Sequence, residues 1–570
     1  MAKSRRRRKS RAGGIVLVLL VLIILGFGGW KIYRIIGPNT EEADIADLFG
    51  VNEEQTAIMF NYELQKATGI RENGTCYLPG DWVQSILNKR FYWDEDEHLM
   101  VYVMPGEVVR MDSRMTGEDG KRLLIEAEGK VWISTDVIRK YTDVRIEEFS
   151  DRDVSRVFVT TPDFYGESVC GVRGKTALRT RTSYKGYVIT EVAKGSKVRV
   201  VPEHPNSAPN EVWQRVMTPD GFTGYIRRSR LYEAEASDYD SGFRAPDYGR
   251  TPAEKTPVLL GWHQVTNKDA NRYLAGLTAN AAGLTVVSPT WFSLRGNEGL
   301  YECYADASYV DSAHEKGVQV WALIENLDDS VTLGTLLKKT AVRRKLIAQI
   351  MADAEFYGID GINVDFEYLR GDAAKAYLEF IRELSVPCRE KGLVLSVDVP
   401  NAASYNTHYD RGELAVFCDY VINMGYDEHT AGDDPGSTSS LPFFRDGLER
   451  TLTEVPAERL IAGIPFYTRA WTVTPEGRVS SEALSMAGAA AWAEEQGIVL
   501  KWDPDLGQST GSVTSESGTV RSIWMEDDAS EKERVQAARE YSVAGIACWR
   551  LGFEEESVWK ILSPDAQTDQ

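Results

Sequence analysis

The most constraining feature of the sequence is a strand–helix alternation that runs through its C-terminal half. Short runs rich in Val, Ile and Leu recur there, and segments with helical spacing, such as residues 343–357 and 374–391, separate them. Eight alternating strands predict a (β/α)8 TIM barrel of the α/β class, whose active site lies at the C-terminal ends of the strands. The predicted strands are Val258–Trp262, Leu284–Pro289, Val318–Ile324, Gly361–Glu367, Leu393–Val399, Tyr420–Tyr426, Leu460–Phe466 and Gly545–Leu551.

The longest gap between predicted strands separates the seventh from the eighth. Residues 467–529 are too many for a loop of a compact barrel. We therefore expect an inserted subdomain there, carrying Trp492, Trp502 and Trp524.

The fourth strand carries an unusual row of polar side chains. Side chains alternate across a strand, so Asn363, Asp365 and Glu367 share one face, and the apolar residues between them share the other. An unpaired buried polar group costs roughly 1–3 kcal/mol. A catalytic carboxylate pair at the barrel mouth fits this row better than the alternative, a satisfied polar network in the core.

The segment 360–367 resembles the motif Asp-Gly-x-Asp-x-Asp-x-Glu of glycoside hydrolase family 18, with Asn363 at its second acid. Residues 424–427, Met-Gly-Tyr-Asp, resemble the family's Met-x-Tyr-Asp after the sixth strand. Tyr467 follows the seventh strand, and Trp549 lies on the eighth, where the family places a substrate-stacking tryptophan. The resemblance extends over most of the region from Val258 to Leu562.

This resemblance implies a retaining mechanism assisted by the substrate's own 2-acetamido group. Glu367 would protonate the glycosidic oxygen, and Asp365 would orient the acetamido N–H and raise the pKa of Glu367. Tyr426 would donate a hydrogen bond to the acetamido oxygen, and Trp549 would stack beneath the sugar. We expect these four residues to form the core of the active site.

Other residues of the same region are assigned to substrate binding or left open. The neutral amide of Asn363 replaces an acid, so the relay behind Asp365 differs from the family pattern. Asn363, Met424, Asp427 and Tyr467 are expected to bind or frame the substrate. For four further residues, cleft lining and local roles such as helix capping stay open: Glu325, Asn326, Asp398 and Arg469.

The N-terminus predicts a membrane anchor. A basic tail, residues 1–12, precedes an uncharged, mostly aliphatic stretch from Gly13 to Trp30. A span over residues 13–36 would place the N-terminus in the cytoplasm and the catalytic domain outside a cell membrane crossed once. The alternative is a cleaved secretory signal. A net charge of −20 argues against nucleic-acid binding.

Two small domains are expected between the anchor and the barrel. Residues 37–150 resemble the small stalk domain named after the N-terminal part of copper amine oxidases, without a His cluster that would hold copper. Residues 165–232 resemble a bacterial SH3 domain, a small β-barrel often used to bind cell-wall material, and residues 233–256 read as a linker to a catalytic barrel over 257–565. Six scattered cysteines predict no metal site, and no cofactor is expected.

The sequence therefore predicts a glycosidase that cleaves β-linked N-acetylglucosamine in an extracellular polymer. Peptidoglycan of a cell wall or spore cortex is favoured over chitin because of the SH3-like module and the predicted anchor. One alternative is a non-catalytic, chitinase-like carbohydrate-binding protein at the cell surface. Another is a surface scaffold with a vestigial barrel.

Overall fold

The computed structural model describes residues 11–127, 129–151, 154–202 and 210–563. The chain forms two compact units. The first comprises Met1–Phe91 and Met111–Ala245, and the second comprises Tyr92–Arg110 and Pro246–Gln570. The second unit therefore contains a short segment from the N-terminal half of the chain.

The first unit contains two seven-stranded sheets. In spatial order the first sheet comprises Leu124–Ala127, Lys130–Ser134, Thr75–Pro79, Glu63–Glu72, Thr56–Phe60, Val154–Thr160 and Arg145–Asp151. The second comprises Val188–Val192, Thr176–Arg179, Thr223–Arg227, Trp213–Met217, Lys197–Val200, Glu167–Gly171 and Glu235–Ser237. The α-helices of the first unit are Arg11–Ile36, Ile45–Phe49, Gly80–Trp82 and Thr135–Tyr141. One apolar cluster, which includes Phe158 and Val216, joins the two sheets.

The structure contradicts the predicted transmembrane anchor over residues 13–36. A membrane-spanning helix needs about 20 predominantly apolar residues. Among the helices of the described residues, none meets both the length and the hydropathy that a span requires. The prediction of a single-pass cell-membrane protein with a cytoplasmic N-terminus and an extracellular catalytic domain is therefore wrong. Most of the predicted basic tail, residues 1–10, lies outside the described residues.

The second unit is built around a closed parallel barrel, which confirms the predicted fold. The strands are β1 (Val258–His263), β2 (Val286–Arg295), β3 (Gln319–Glu325), β4 (Gly361–Asp365), β5 (Val394–Pro400), β6 (Tyr420–Met424), β7 (Leu460–Pro465) and β8 (Gly545–Trp549). Each strand pairs with the next, and β1 pairs with both β2 and β8, which closes the barrel. Seven strands lie close to their predicted bounds, and β2 continues beyond its predicted end at Pro289.

A helix follows each strand of the barrel. The helices are α1 (Leu274–Leu277), α2 (Ala307–His314), α3 (Thr340–Tyr357), α4 (Ala374–Lys391), α5 (Arg411–Phe417), α6 (Leu441–Leu452), α7 (Asp528–Glu540) and α8 (Val558–Leu562). A further short helix, Leu333–Leu336, precedes α3. The apolar residues of β4 pack outward in the layer between strands and helices, where Phe366 stacks on Phe380 of α4 at 5.6 Å. The polar residues of β4 therefore face the barrel interior.

The insertion between β7 and α7 is a small subdomain with a sheet of its own. Its five strands are, in chain order, Tyr467–Val473, Val479–Ser485, Lys501–Asp503, Gln508–Thr514 and Val520–Trp524. Helix Met486–Glu495 packs on this sheet around Ala489 and Ile523. Since Tyr467 begins the first strand directly after β7, the insertion borders the C-terminal mouth of the barrel.

The segment Tyr92–Arg110 packs on the barrel helices. It forms the strands Tyr92–Asp94 and Leu99–Met104 and most of Glu107–Met111. The buried carboxylate of Asp94 accepts hydrogen bonds from the backbone N–H and the hydroxyl of Thr340, both 2.6 Å, at the first residue of α3. No side chain of α3 or its flanking residue caps this end. The segment therefore supplies the missing N-terminal cap of α3.

Candidate active site

A cleft of about 840 Å³ opens at the C-terminal mouth of the barrel. Residues at the ends of β4, β5, β6 and β8 line it. Six of the predicted site residues contribute to its wall: Asp365, Glu367, Met424, Tyr426, Asp427 and Trp549. Asp398 and Arg469, whose roles were left open, also line the cleft. Asn363 and Tyr467 contact these residues from behind.

Asn363 is fully buried in the barrel interior and makes three hydrogen bonds. Its side-chain oxygen accepts from the indole N–H of Trp262 at 2.9 Å and from the hydroxyl of Ser288 at 3.0 Å. Its amide nitrogen donates to Oδ1 of Asp398 at 2.8 Å. Two donors on the oxygen determine the orientation of the amide, so its N–H group must face Asp398.

Asp365 ends β4 next to other carboxylates. Its Cα is paired in register with that of Glu325 on β3. The side chain is 8% exposed, and its Oδ1 is buried without a hydrogen-bond partner. Burial raises the pKa of Asp365 well above its usual range, and the charges of Asp398, Glu367 and Glu325 add to this effect. The free Oδ1 is an acceptor that a substrate N–H could satisfy.

Glu367 is held by its backbone. Asn326, which follows β3, accepts a hydrogen bond from the N–H of Glu367 at 2.7 Å and donates one to its carbonyl at 3.0 Å. Burial raises the pKa of the Glu367 carboxyl, and the neighbouring charges of Asp427 and Glu325 raise it further. A raised pKa keeps a carboxyl protonated at higher pH, which suits a general acid.

Aromatic rings form the floor of the cleft. Trp262 contacts Trp549 edge-on, with 6.0 Å between ring centroids, and contacts Tyr426 in the same manner at 6.5 Å. Tyr426 packs in turn against Tyr467 at 6.2 Å, and the Tyr467 hydroxyl donates a hydrogen bond to Asp427. Burial raises the pKa of Tyr426 well above its usual range, so its phenol remains a neutral donor. Trp262 was predicted as a strand residue, but no role in the site was assigned to it.

Several features of the site could not be recognised from local sequence patterns. Asn326 and Asp398 were identified as residues after or on a strand, but Asn326 is bonded to Glu367, which follows β4, and Asp398 to Asn363, which lies on β4. Tyr368 and Tyr405 stand at the rim with 82% of their surfaces exposed. Tyr368 also has a left-handed backbone with φ of 53°, uncommon for a residue other than glycine. Such strained positions concentrate at functional sites.

A closed (β/α)8 barrel with carboxyl groups of raised pKa above an aromatic floor is the arrangement expected of a glycoside hydrolase. The sequence model described as glycosyl hydrolases family 18 matches residues 260–554. The chain therefore belongs to this family and is a glycosidase.

The relatives found among known proteins include bacterial glycosylases. The chain is 25% identical over 268 residues to the uncharacterized glycosylase YvbX of Bacillus subtilis (strain 168), covering 44% of this chain and 76% of that protein. It is 28% identical over 267 residues to the cortical fragment-lytic enzyme of the same organism, covering 45% and 61%. The spore cortex-lytic enzyme SleL of Bacillus cereus is a solved structure with a TM-score of 0.49 and 21% identity, covering 54% and 73%.

Proposed function

We propose that the chain hydrolyses β-linked N-acetylglucosamine with retention of configuration and that its polymer is peptidoglycan. The observation that carries the reaction is the pairing of Glu367, whose carboxyl has a raised pKa, with the unpartnered Oδ1 of Asp365 in one cleft. The cortical fragment-lytic enzyme of Bacillus subtilis, by its name, lyses cortical fragments, which supports peptidoglycan as the polymer.

In the proposed mechanism Glu367 donates its proton to the glycosidic oxygen while the C1–O bond breaks. The acetamido oxygen of the same sugar attacks C1 and closes a positively charged oxazolinium ring. Asp365 accepts a hydrogen bond from the acetamido N–H through its free Oδ1 and stabilises the charge that develops on the nitrogen. Tyr426 donates to the acetamido oxygen. Water, deprotonated by Glu367, then opens the ring from the original face.

Trp549 and the remaining predicted residues bind the sugar in this proposal. The indole of Trp549 lies in the aromatic floor and offers a face for a sugar ring. Met424 lines the cleft beside Tyr426. Tyr467 fixes the side chain of Asp427 through its hydroxyl.

The test is digestion of purified peptidoglycan and of chitin oligomers. Mass spectrometry identifies the products, and NMR identifies the anomer of the new reducing end that forms first. Peptidoglycan fragments with reducing N-acetylglucosamine in the β configuration are expected. Glu367→Gln should lose nearly all cleavage, whereas Asp446→Asn, which removes a 58%-exposed carboxylate from the same cleft, should keep it. Tight binding without cleavage by wild type would indicate a lectin instead. An α anomer would refute retention.

We also propose that the sheet from Glu167 to Ser237 binds cell-wall material in the manner of the bacterial SH3 domains that it resembles. Exposed tyrosines support this. Tyr184 and Tyr187, 48% and 51% exposed, lie between strands Thr176–Arg179 and Val188–Val192. In the E367Q background, Tyr187→Ala should weaken co-sedimentation with insoluble peptidoglycan. Tyr273→Ala, at an equally exposed tyrosine of the second unit, should not, and equal loss in both would contradict the proposal.

A further inference from the structure

Asp398 is a buried carboxyl group beside the proposed active-site pair, and the family motif does not account for it. It lies on β5 with 2% of its surface exposed and reaches the cleft. The register pairs Asn363 with Ser396 and Val364 with Val397. Continuing this register by one residue places Asp365 beside Asp398, and paired residues of parallel strands point to the same face. Asp398 and Asp365 are therefore neighbours in the barrel interior.

The charges around this pair are all negative. Asp365 has Glu325 in register on one side and Asp398 on the other, with Glu367 following on its own strand. The charges that raise the pKa of Asp365 are the carboxylates of Asp398, Glu367 and Glu325, and the charge that raises the pKa of Asp398 is the carboxylate of Glu367. Burial, together with the charge of Asp398, raises the pKa of Tyr426 across the cleft and of Tyr377 on α4, so both phenols are neutral. Two buried carboxylates this close cannot both ionise readily.

The hydrogen bonds of Asn363 determine which oxygen of Asp398 can hold a proton. The amide oxygen of Asn363 is occupied by Trp262 and Ser288, and its N–H group points at Oδ1 of Asp398. That oxygen is therefore an acceptor, which leaves Oδ2 as the atom able to hold a proton. Burial raises the pKa of Asp398 well above its usual range, although the hydrogen bond from Asn363 opposes this effect.

We propose that Asp398 is a positioning residue that holds the single proton of an Asp365–Asp398 carboxyl pair once substrate binds, because the hydrogen bond from the acetamido N–H to the free Oδ1 of Asp365 then stabilises Asp365 as the ionised member of the pair. Asp398 keeps its proton throughout turnover, and no bond is made or broken at this residue. The neutral carboxyl of Asp398 on β5 takes the role beside Asp365 that the acid of the family motif would have at position 363. Asn363 cannot take that role, because it has no ionisable proton. This inference rests on the proposed function, in which Asp365 faces the acetamido nitrogen.

The first experiment measures the proton and needs no activity. Infrared difference spectra at pH 7 compare E367Q with E367Q/D398N, both saturated with a chitin oligomer, so that Asp365 has its substrate hydrogen bond and the Glu367 proton does not contribute. The carbonyl band of one protonated carboxylic acid should disappear in E367Q/D398N. The control pair, E367Q and E367Q/D446N, should show no such loss, since Asp446 is paired with Arg450 at 2.7 Å. An unchanged band in E367Q/D398N would overturn the proposal even if both polymers resist cleavage.

The second experiment uses kinetics. Because an amide is a neutral isostere of a protonated carboxyl, D398N should keep kcat within about threefold of wild type. N363D adds a carboxylate beside Asp365, raises its pKa and should move the acid limb of kcat/KM to higher pH. N363D/D398N should move that limb back, which a merely structural role of Asp398 would not do. A folded D398N that loses about tenfold or more, or no return in the double variant, would refute the proposal.

Discussion

Asn326 holds the proposed general acid through two backbone hydrogen bonds, and its replacement measures what that restraint contributes. Asn326→Ala removes the 2.7 Å bond from the N–H of Glu367 and the 3.0 Å bond to its carbonyl. A protein hydrogen bond contributes about 0.5–1.5 kcal/mol net, so the pair contributes about 1–3 kcal/mol. If this restraint acts mainly in the transition state, kcat falls about 5-fold to 150-fold, since 1.36 kcal/mol corresponds to tenfold.

The assay is steady-state kinetics on soluble peptidoglycan or chitin oligomers, with thermal unfolding as a check on folding. KM should change little, because Asn326 is not among the residues that line the cleft. The matched control is Asn297→Ala, which also removes two bonds from an amide to backbone groups, at 2.7 Å to Thr332 and 3.4 Å to Ser330, away from Glu367. A folded N326A with kcat within about twofold of wild type, or an equal loss in N297A, would refute the reasoning.

Three further predictions concern stability and pH. Asp94→Ala removes the cap that Thr340 receives and should lower the free energy of unfolding by about 2–4 kcal/mol, measured by urea denaturation. Asp427→Asn removes a negative charge that raises the pKa of Glu367, so the basic limb of kcat should move to lower pH. Burial raises the pKa of Glu379 to about 7, so its protonation stabilises the fold below about pH 4.5 and this contribution is lost as pH rises through 7. The difference in unfolding free energy between Glu379→Gln and wild type should therefore shift in favour of the variant as the pH rises from about 4.5 to about 8.

Each of these predictions has a matched control. Asp96→Ala changes an exposed carboxylate in the same turn as Asp94 and should leave stability nearly unchanged. Asp446→Asn should leave the pH profile in place, and Glu390→Gln, at an exposed position of α4, should show no comparable pH dependence of stability. A D94A variant as stable as wild type would contradict the capping role. A basic limb that stays fixed in D427N would mean that a group other than Glu367 controls it.

The barrel and the polar row of β4 could be predicted because both depend on local periodicity. Alternation along one strand is enough to place Asn363, Asp365 and Glu367 on one face, and the helices between strands follow from their spacing. The two hydrogen bonds between Asn326 and the backbone of Glu367 depend instead on how the loop after β3 approaches the end of β4. No sequence spacing encodes that approach, so the choice between cleft lining and a local role stayed open.

Contacts between distant segments were equally out of reach. The capping of Thr340 by Asp94 joins residues 246 positions apart, and nothing in residues 92–110 signals that they belong with the barrel.

The placement of Tyr92–Arg110 in the second unit has a consequence for how the protein can be cut. The chain passes from one unit to the other three times, after Phe91, after Arg110 and after Ala245. A single proteolytic nick at any one of these crossings leaves the other two crossings intact. An expressed fragment that begins at Pro246 would lack Asp94, which caps α3, and Arg110, which donates a hydrogen bond to Glu383. A continuous fragment that contains the whole second unit therefore also contains residues Met111–Ala245 of the first.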